Sequence, residues 1–228
     1  MRDKNEIKIN IIRHGKTALN EKHCYIGITD EPLSENGRLE IIQKKEKGIY
    51  EDTKVVFVSP MIRAKETANI IFPSSIMLEI PEFREMDFAD FEGKNYEQLK
   101  DNLHYRRWID ESRGIGTAEL KELYGDLSLD VSLPESKEAF TNRVKEGFLK
   151  VIGIIDKMML EGNIRKTDSI SIVAHGGTLM AIVNAFSNED FYQKMVSCGD
   201  GIETKVVYNN DNGNIKISRF SSNNRICC

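Results

Sequence analysis

An apolar, β-branched run from Ile7 to Ile12 ends abruptly at Arg13-His14-Gly15. A buried strand that delivers an arginine and a histidine to its carboxyl end puts them where open α/β sheets gather ligands. Arg13 offers a planar fork of donors matched to phosphate oxygens, and His14 offers a nitrogen lone pair near neutral pH. The arrangement recurs twice. Val55 to Val58 leads through Ser59-Pro60 to Arg63, in the first turn of an expected helix, and Ile170 to Val173 leads through Ala174 into His175-Gly176-Gly177-Thr178. Three strand ends therefore carry Arg13, His14, Arg63 and His175, and neighbouring ends of a parallel sheet lie close enough to share one pocket. Arginines beside histidines suit phosphoryl chemistry, in which positioning and charge stabilisation do most of the catalysis. A carboxylate to move the proton is still needed, and Phe83-Arg84-Glu85-Met86-Asp87-Phe88 holds two candidates, Glu85 and Asp87.

The elements that must position these residues alternate along the chain without internal repeats. Strands are expected at Ile7–Ile12, Val55–Val58, Ile76–Leu78, Ile170–Val173, Ile202–Tyr208 and Ile215–Phe220. Helices are expected from Ser34, a plausible N-cap, through Ile42, and at Met61–Ile71, Tyr96–Asp110, Lys137–Leu160, Thr178–Phe186 and Asn188–Val196. Asn209-Asn210-Asp211-Asn212-Gly213 reads as a hairpin turn between the last two strands. The pattern implies a three-layer α/β sandwich, with a mainly parallel central sheet, an antiparallel C-terminal edge and helices on both faces. Phe140, Val144, Phe148, Val151, Ile155 and Met158 recur at helical spacing and read as a core stripe. Residues 1–228 read as one domain, with a lid-like insertion around 94–135 whose stretch from Arg113 to Leu133 carries no clear periodicity.

Composition narrows the partners. With 36 acidic and 32 basic residues, the formal charge of −4 offers no general attraction to nucleic acid or to an anionic membrane. An anionic small molecule would have to be held by local arginines. Met1-Arg2-Asp3-Lys4-Asn5-Glu6 lacks the apolar core of a signal peptide, and no run approaches the ~20 apolar residues that span a bilayer, so a cytoplasmic location is expected. Cys24, Cys198, Cys227 and Cys228 have no metal-ligand spacing and read as free thiols. His23 and His104 read as surface residues, and neither a metal nor a cofactor is expected. The sequence leaves the oligomeric state open.

With these residues in place, the chain resembles the histidine phosphatase, or phosphoglycerate mutase-like, superfamily. Arg13-His14-Gly15 with Thr17 and Asn20 looks like its signature, followed by Gly27, Asp30-Glu31-Pro32-Leu33-Ser34 and Gly37. Ser59-Pro60 with Arg63-Ala64 and Thr67-Ala68, Glu85 through Gly93, and Ala174-His175-Gly176-Gly177 match its later motifs in order. The resemblance implies the phosphoglycerate mutase-like fold, attack by His14 on a small-molecule phosphomonoester, and a phosphohistidine that water discharges. It implies Glu85 as the proton donor, with Asp87 in reserve; the plainer reading of Glu85 is a loop carboxylate paired with Arg84. Arg13, Arg63 and His175 would hold the phosphoryl group, and Asn20, Thr17, Gly27 and Gly176 would contact the substrate. Arg84-Glu85-Met86-Asp87-Phe88 with Glu92-Gly93 is most similar to the α-ribazole phosphatase branch, from which Ala89 departs where glycine is usual and Phe91 where tryptophan is usual. Pro134-Glu135-Ser136 looks like a shortened form of a glycine-containing family motif. Two further readings are a phosphoglycerate mutase, for which Arg106-Arg107 beside Trp108 would take the substrate carboxylate, and a non-catalytic phosphate-binding regulator.

Overall fold

Alternation along the strands builds the three layers. In β1 (Asn5–Arg13), Ile7, Ile9 and Ile11 point to one face of the sheet, while Ile12 points to the other. The first face is covered by α7 (Lys137–Leu160) and α8 (Gly176–Phe186), through Phe140, Val144, Phe148, Val151, Leu179 and Ile182. The second is covered by α2 (Glu35–Glu46) and α3 (Ile62–Ile71), through Ile41, Ala64, Ala68 and Ile71. Each fully buried aliphatic or aromatic side chain contributes roughly 1.5–3 kcal/mol, so the two clusters hold the sheet from both sides. The computed structural model describes residues 5–125, 127, 132–187, 196–209 and 214–222.

The sheet has six strands in the order β3-β2-β4-β1-β5-β6, where β2 is Val55–Val58, β3 is Ile76–Glu79, β4 is Ile170–Ala174, β5 is Gly201–Asn209 and β6 is Asn214–Ser222. The pairs β3-β2, β2-β4 and β4-β1 are parallel, and β1-β5 and β5-β6 are antiparallel, giving the mainly parallel sheet with an antiparallel edge that the sequence implies. Register places Ile12 beside Val173 and Val173 beside Val58. The carboxyl ends of β1, β4 and β2 are therefore level, and His14, His175 and Ser59 leave them side by side.

Several boundaries differ from those expected. The helix from Ser34 runs to Glu46 instead of Ile42, with the Ser34 hydroxyl accepting from Gly37 N–H at 2.9 Å. The single helix expected over Tyr96–Asp110 is two, α4 (Tyr96–Leu99) and α5 (Leu103–Ser112), because Asn102 restarts the helix as an N-cap whose side chain accepts from Tyr105 N–H at 3.0 Å. Within the stretch without periodicity, α6 spans Thr117–Tyr124 and packs on α5, with the Tyr124 hydroxyl donating to Asp110 at 2.5 Å. The helix expected at Asn188–Val196 lies outside the described residues except for Val196, as does the 209–213 turn except for Asn209, and Cys227-Cys228 entirely. Cys24 and Cys198 are free thiols, His23 is exposed and His104 is half-buried. Among the described residues, no helix is long and apolar enough to cross a membrane.

Candidate active site

Backbone bonds that prolong the sheet fix the site. His14 N–H donates to Ala174 O at 2.9 Å and Ser59 N–H to Val173 O at 3.0 Å, one step beyond the strand ends. Gly15 N–H donates to the Thr67 hydroxyl at 2.9 Å, which itself donates to Arg63 O at 2.7 Å, so the Arg13-His14-Gly15 turn and α3 are tied together. The rings of His14 and His175 meet edge-on with centroids 5.1 Å apart, and His14, Arg63, His175 and Glu85 are all buried.

The hydrogen bonds decide which nitrogen does what. His14 Nδ1 lies 2.6 Å from Gly15 O, an acceptor, so the ring proton sits on Nδ1 and the Nε2 lone pair is unprotonated. Burial, then the charges of Arg63 and Arg13, hold the His14 pKa well below the ordinary histidine value, which keeps the ring neutral and nucleophilic. His175 Nε2 is 2.7 Å from the Ser59 hydroxyl, which also receives Met61 N–H at 3.4 Å. His175 Nδ1 is a buried nitrogen with no hydrogen-bond partner among the described residues. Burial and the nearby Arg63 keep His175 neutral as well.

The arginines combine anchoring with unspent donors. Arg63 donates from Nη1 to Thr29 O and from Nη2 to Gly27 O, each at 2.8 Å, while its buried Nε has no hydrogen-bond partner among the described residues. Burial draws the Arg63 pKa down, and Glu85, Asp30, Glu92 and Glu31 pull it back up. Arg13 donates from Nη1 to Val196 O at 2.8 Å and likewise keeps a buried Nε without a partner among the described residues. Buried donors left unpaired cost about 1–3 kcal/mol each, a penalty that a bound anion with several acceptor oxygens removes.

Glu85 is paired with backbone, not with Arg84. Its carboxylate accepts from Met86 N–H at 2.9 Å and from Gly177 N–H, in the first turn of α8, at 3.0 Å, whereas Arg84 comes within 3.9 Å of Glu135. Burial raises the Glu85 pKa against the opposing pull of these two bonds and of Arg13 and Arg63, which favours a carboxyl that carries a proton. A side chain at Gly177 would collide with this group, since a Cβ there would stand 2.3 Å from Glu85 Oε1. Asp87, the reserve candidate, instead accepts Ala89 N–H at 2.7 Å and shapes the turn.

The residues named as substrate contacts divide. Asn20 accepts Thr17 N–H at 3.2 Å while the Thr17 hydroxyl accepts Asn20 N–H at 3.2 Å, a reciprocal cap on α1 (Ala18–Glu21) that leaves the Asn20 amide NH₂ as the donor to offer a ligand. Thr17 is fully buried in that cap. Gly176 lies against the Arg13 guanidinium, 3.4 Å from Cζ to where its Cβ would be. Gly27 supports the site from behind: its N–H donates to Glu92 at 2.8 Å, and a Cβ would overlap Met86 O at 1.7 Å.

Sequence reasoning gave Glu92 no role, yet its carboxylate accepts from the N–H groups of Gly27, Ile28, Thr29 and Phe88 and from the Thr29 hydroxyl. It thereby fixes the two carbonyls that hold Arg63. The available signal was a carboxylate between Phe91 and Gly93. Tyr25, Phe88, Phe91, Tyr105 and Trp108 pack around this loop in edge-to-face and tilted pairs, with Tyr25 and Tyr105 hydroxyls 2.8 Å apart. Ala89 sits in this turn with φ of +47°, the left-handed region that the usual glycine would enter freely. Ala89→Gly is therefore expected to raise stability by about 0.5–1 kcal/mol, the relieved strain being partly offset by greater freedom of the unfolded chain, and a denaturant titration checks it. No gain, or a loss, would mean that Ala89 is unstrained.

Among the described residues, no group of three or more His, Cys, Asp or Glu is arranged to hold a metal ion. The sequence profile of the histidine phosphatase superfamily (branch 1) matches residues 9–216. A 2,3-bisphosphoglycerate-dependent phosphoglycerate mutase of Bifidobacterium longum is 28% identical over 201 residues, covering 79% of this chain and 77% of the relative. Among solved structures, phosphoglycerate mutase from Bacillus anthracis superposes with a TM-score of 0.68 at 23% identity, covering 95% of this chain and 93% of its own. The α-ribazole phosphatase of Shigella flexneri gives 0.65 at 20% identity, covering 95% and 97%.

Proposed function

The chain belongs to the histidine phosphatase superfamily (branch 1), and from that premise we propose that it hydrolyses a small phosphomonoester through a phosphohistidine on His14. The observation that carries this reading is the neutral His14 ring with its Nδ1 proton on Gly15 O, beside the buried Nε of Arg13, Nε of Arg63 and Nδ1 of His175, which have no partner among the described residues. His14 Nε2 attacks phosphorus; the P–N bond forms as the ester P–O bond breaks, and Glu85 gives its proton to the departing oxygen. Glu85, now a carboxylate, takes a proton from water as that water attacks phosphorus. The P–N bond breaks, leaving inorganic phosphate and free His14. Arg13, Arg63, His175 and the Asn20 amide stabilise the charge on the equatorial oxygens throughout.

For the leaving group we propose α-ribazole, on the likeness of Arg84-Glu85-Met86-Asp87-Phe88 and Glu92-Gly93 to that branch. The mutase reading is favoured by the 28% identity to the Bifidobacterium longum enzyme. It needs cations for a substrate carboxylate; of Arg106 and Arg107, Arg106 is exposed and lies near Tyr124, on α6. The test offers α-ribazole 5′-phosphate, 3-phosphoglycerate and several sugar phosphates to the purified protein, following free phosphate and 2-phosphoglycerate. Phosphate release, fastest in kcat/KM from α-ribazole 5′-phosphate, is expected. Conversion of 3-phosphoglycerate to 2-phosphoglycerate without phosphate release would replace hydrolysis by mutase activity, and equal slow hydrolysis of every ester would remove the α-ribazole assignment alone.

A further inference from the structure

Glu85 lies where no strand or helix holds it. β3 ends at Glu79, a single 3-10 turn spans Pro81–Phe83, and the chain then runs irregularly past Glu85 to the next turn at Ala89. One side chain of α7 grips the backbone of this segment, where the Thr178 hydroxyl of α8 also donates to Phe83 O at 3.2 Å. Arg143 donates from Nη1 to Glu82 O at 2.8 Å and to Arg84 O at 3.0 Å, and from Nη2 to Glu85 O at 3.5 Å. Its Nε and Nη2 also fork onto the two oxygens of Glu135, at 3.0 and 2.6 Å. Glu135 in turn spans the far side of the segment: its N–H donates to Asp87 O at 2.8 Å, and its carboxylate accepts Asp87 N–H at 3.5 Å. The guanidinium rests on the Phe140 ring, 5.1 Å from its centroid, and the two charged side chains are only 16% and 13% exposed.

We propose that Arg143 and Glu135 are positioning residues that set the Glu85 carboxyl at the departing oxygen, an inference that rests on Glu85 being the proton donor. All five N–H donors of Arg143 are committed within the protein, so unlike Arg13 and Arg63 it has nothing left for a phosphate. Its influence must pass through the backbone it holds. Glu85 is then caught from both sides, by Arg143 on its carbonyl and by Gly177 N–H on its carboxylate. Lysine could not reproduce this, because a single ammonium cannot span three carbonyls and a carboxylate in one plane. A misplacement of about 1 Å in a catalytic group can cost ~10²-fold in rate.

The experiment measures the phosphorylation step by rapid quench for an alkyl phosphate, whose departing oxygen needs a proton, and for p-nitrophenyl phosphate, whose departing oxygen needs little help. Arg143→Lys, Glu135→Gln, Glu85→Gln and the Arg143→Lys/Glu85→Gln double variant are compared with the wild type. Arg143→Lys and Glu135→Gln are expected to slow transfer from the alkyl ester by about 10²-fold in the single-turnover rate constant for phosphorylation, with the half-saturating substrate concentration little changed, and transfer from the aryl ester far less. In the Glu85→Gln background, Arg143→Lys is expected to add almost nothing. Equal losses on both esters, or a further full loss in the double variant, would overturn the proposal and leave Arg143 a stabilising residue only. If Glu85→Gln shows the leaving-group difference and the other two variants do not, the clamp alone fails. If Glu85→Gln itself treats both esters alike, Glu85 is not the donor and both readings fall.

Discussion

Glu85→Gln is expected to lower kcat for an alkyl phosphomonoester by about 10²–10⁴-fold and to change the shape of the pH profile. The acid must be protonated to act, so its contribution is present below its pKa and lost as pH rises through it. Because burial raises that pKa above the usual carboxylate value, the wild-type kcat/KM should fall on the alkaline side of the raised pKa. His14, held neutral well below the ordinary histidine value, does not limit the rate in that range. Glutamine keeps the size of the side chain and can still accept Gly177 N–H, but it has no proton to give. The variant should therefore be slow and lack that falling limb. An alkaline limb that survives unchanged in Glu85→Gln would assign it to another group, and Asp87 would be tested next.

The larger expected effect is at His14. His14→Ala removes the attacking nitrogen while leaving Arg13, Arg63 and His175 in place, and the loss in kcat is expected to be about 10⁵-fold or more on every phosphomonoester. Binding should suffer much less, because the donors for the equatorial oxygens remain. Vanadate, which mimics five-coordinate phosphorus, should still bind His14→Ala, more weakly for want of the Nε2 ligand. Turnover within tenfold of the wild type would mean that His14 is a phosphate ligand and not a nucleophile.

These effects depend on a site whose outline was legible in the sequence and whose supports were not. The run from Ile7 to Ile12, with the histidine directly after it, is a local pattern that sheet physics translates into position. Arg13, His14, Arg63 and His175 come together because β1, β4 and β2 are neighbours in register. The three-layer sheet and the core stripe of α7 follow from periodicities of two and 3.6 that no long-range event disturbs. Glu92 was harder to see, since its partners are backbone N–H groups more than sixty residues away, Gly27 to Thr29, and side-chain identity says nothing about where a main-chain donor will point. Arg143 did leave a trace: it falls between Phe140 and Val144 of the buried stripe, where a solvated arginine would be out of place. Thr17 and Gly27 were expected to touch substrate, but the hydroxyl of one caps α1 and the amide of the other is bound to Glu92. The single helix expected over Tyr96–Asp110 overlooked Asn102, whose side chain competes for the backbone and restarts the helix.

Whether phosphate ever resides on the protein is the central question, and it is answered by mixing enzyme with a ³²P-labelled phosphomonoester, quenching within a turnover and mapping the label. A phosphoprotein stable to base and labile to acid, with the label on the peptide containing His14 and discharged to inorganic phosphate when the substrate is exhausted, is the expected result. Label found on a serine, on a cysteine or on His175, or none trapped while the enzyme turns over and releases phosphate at full speed, would contradict it.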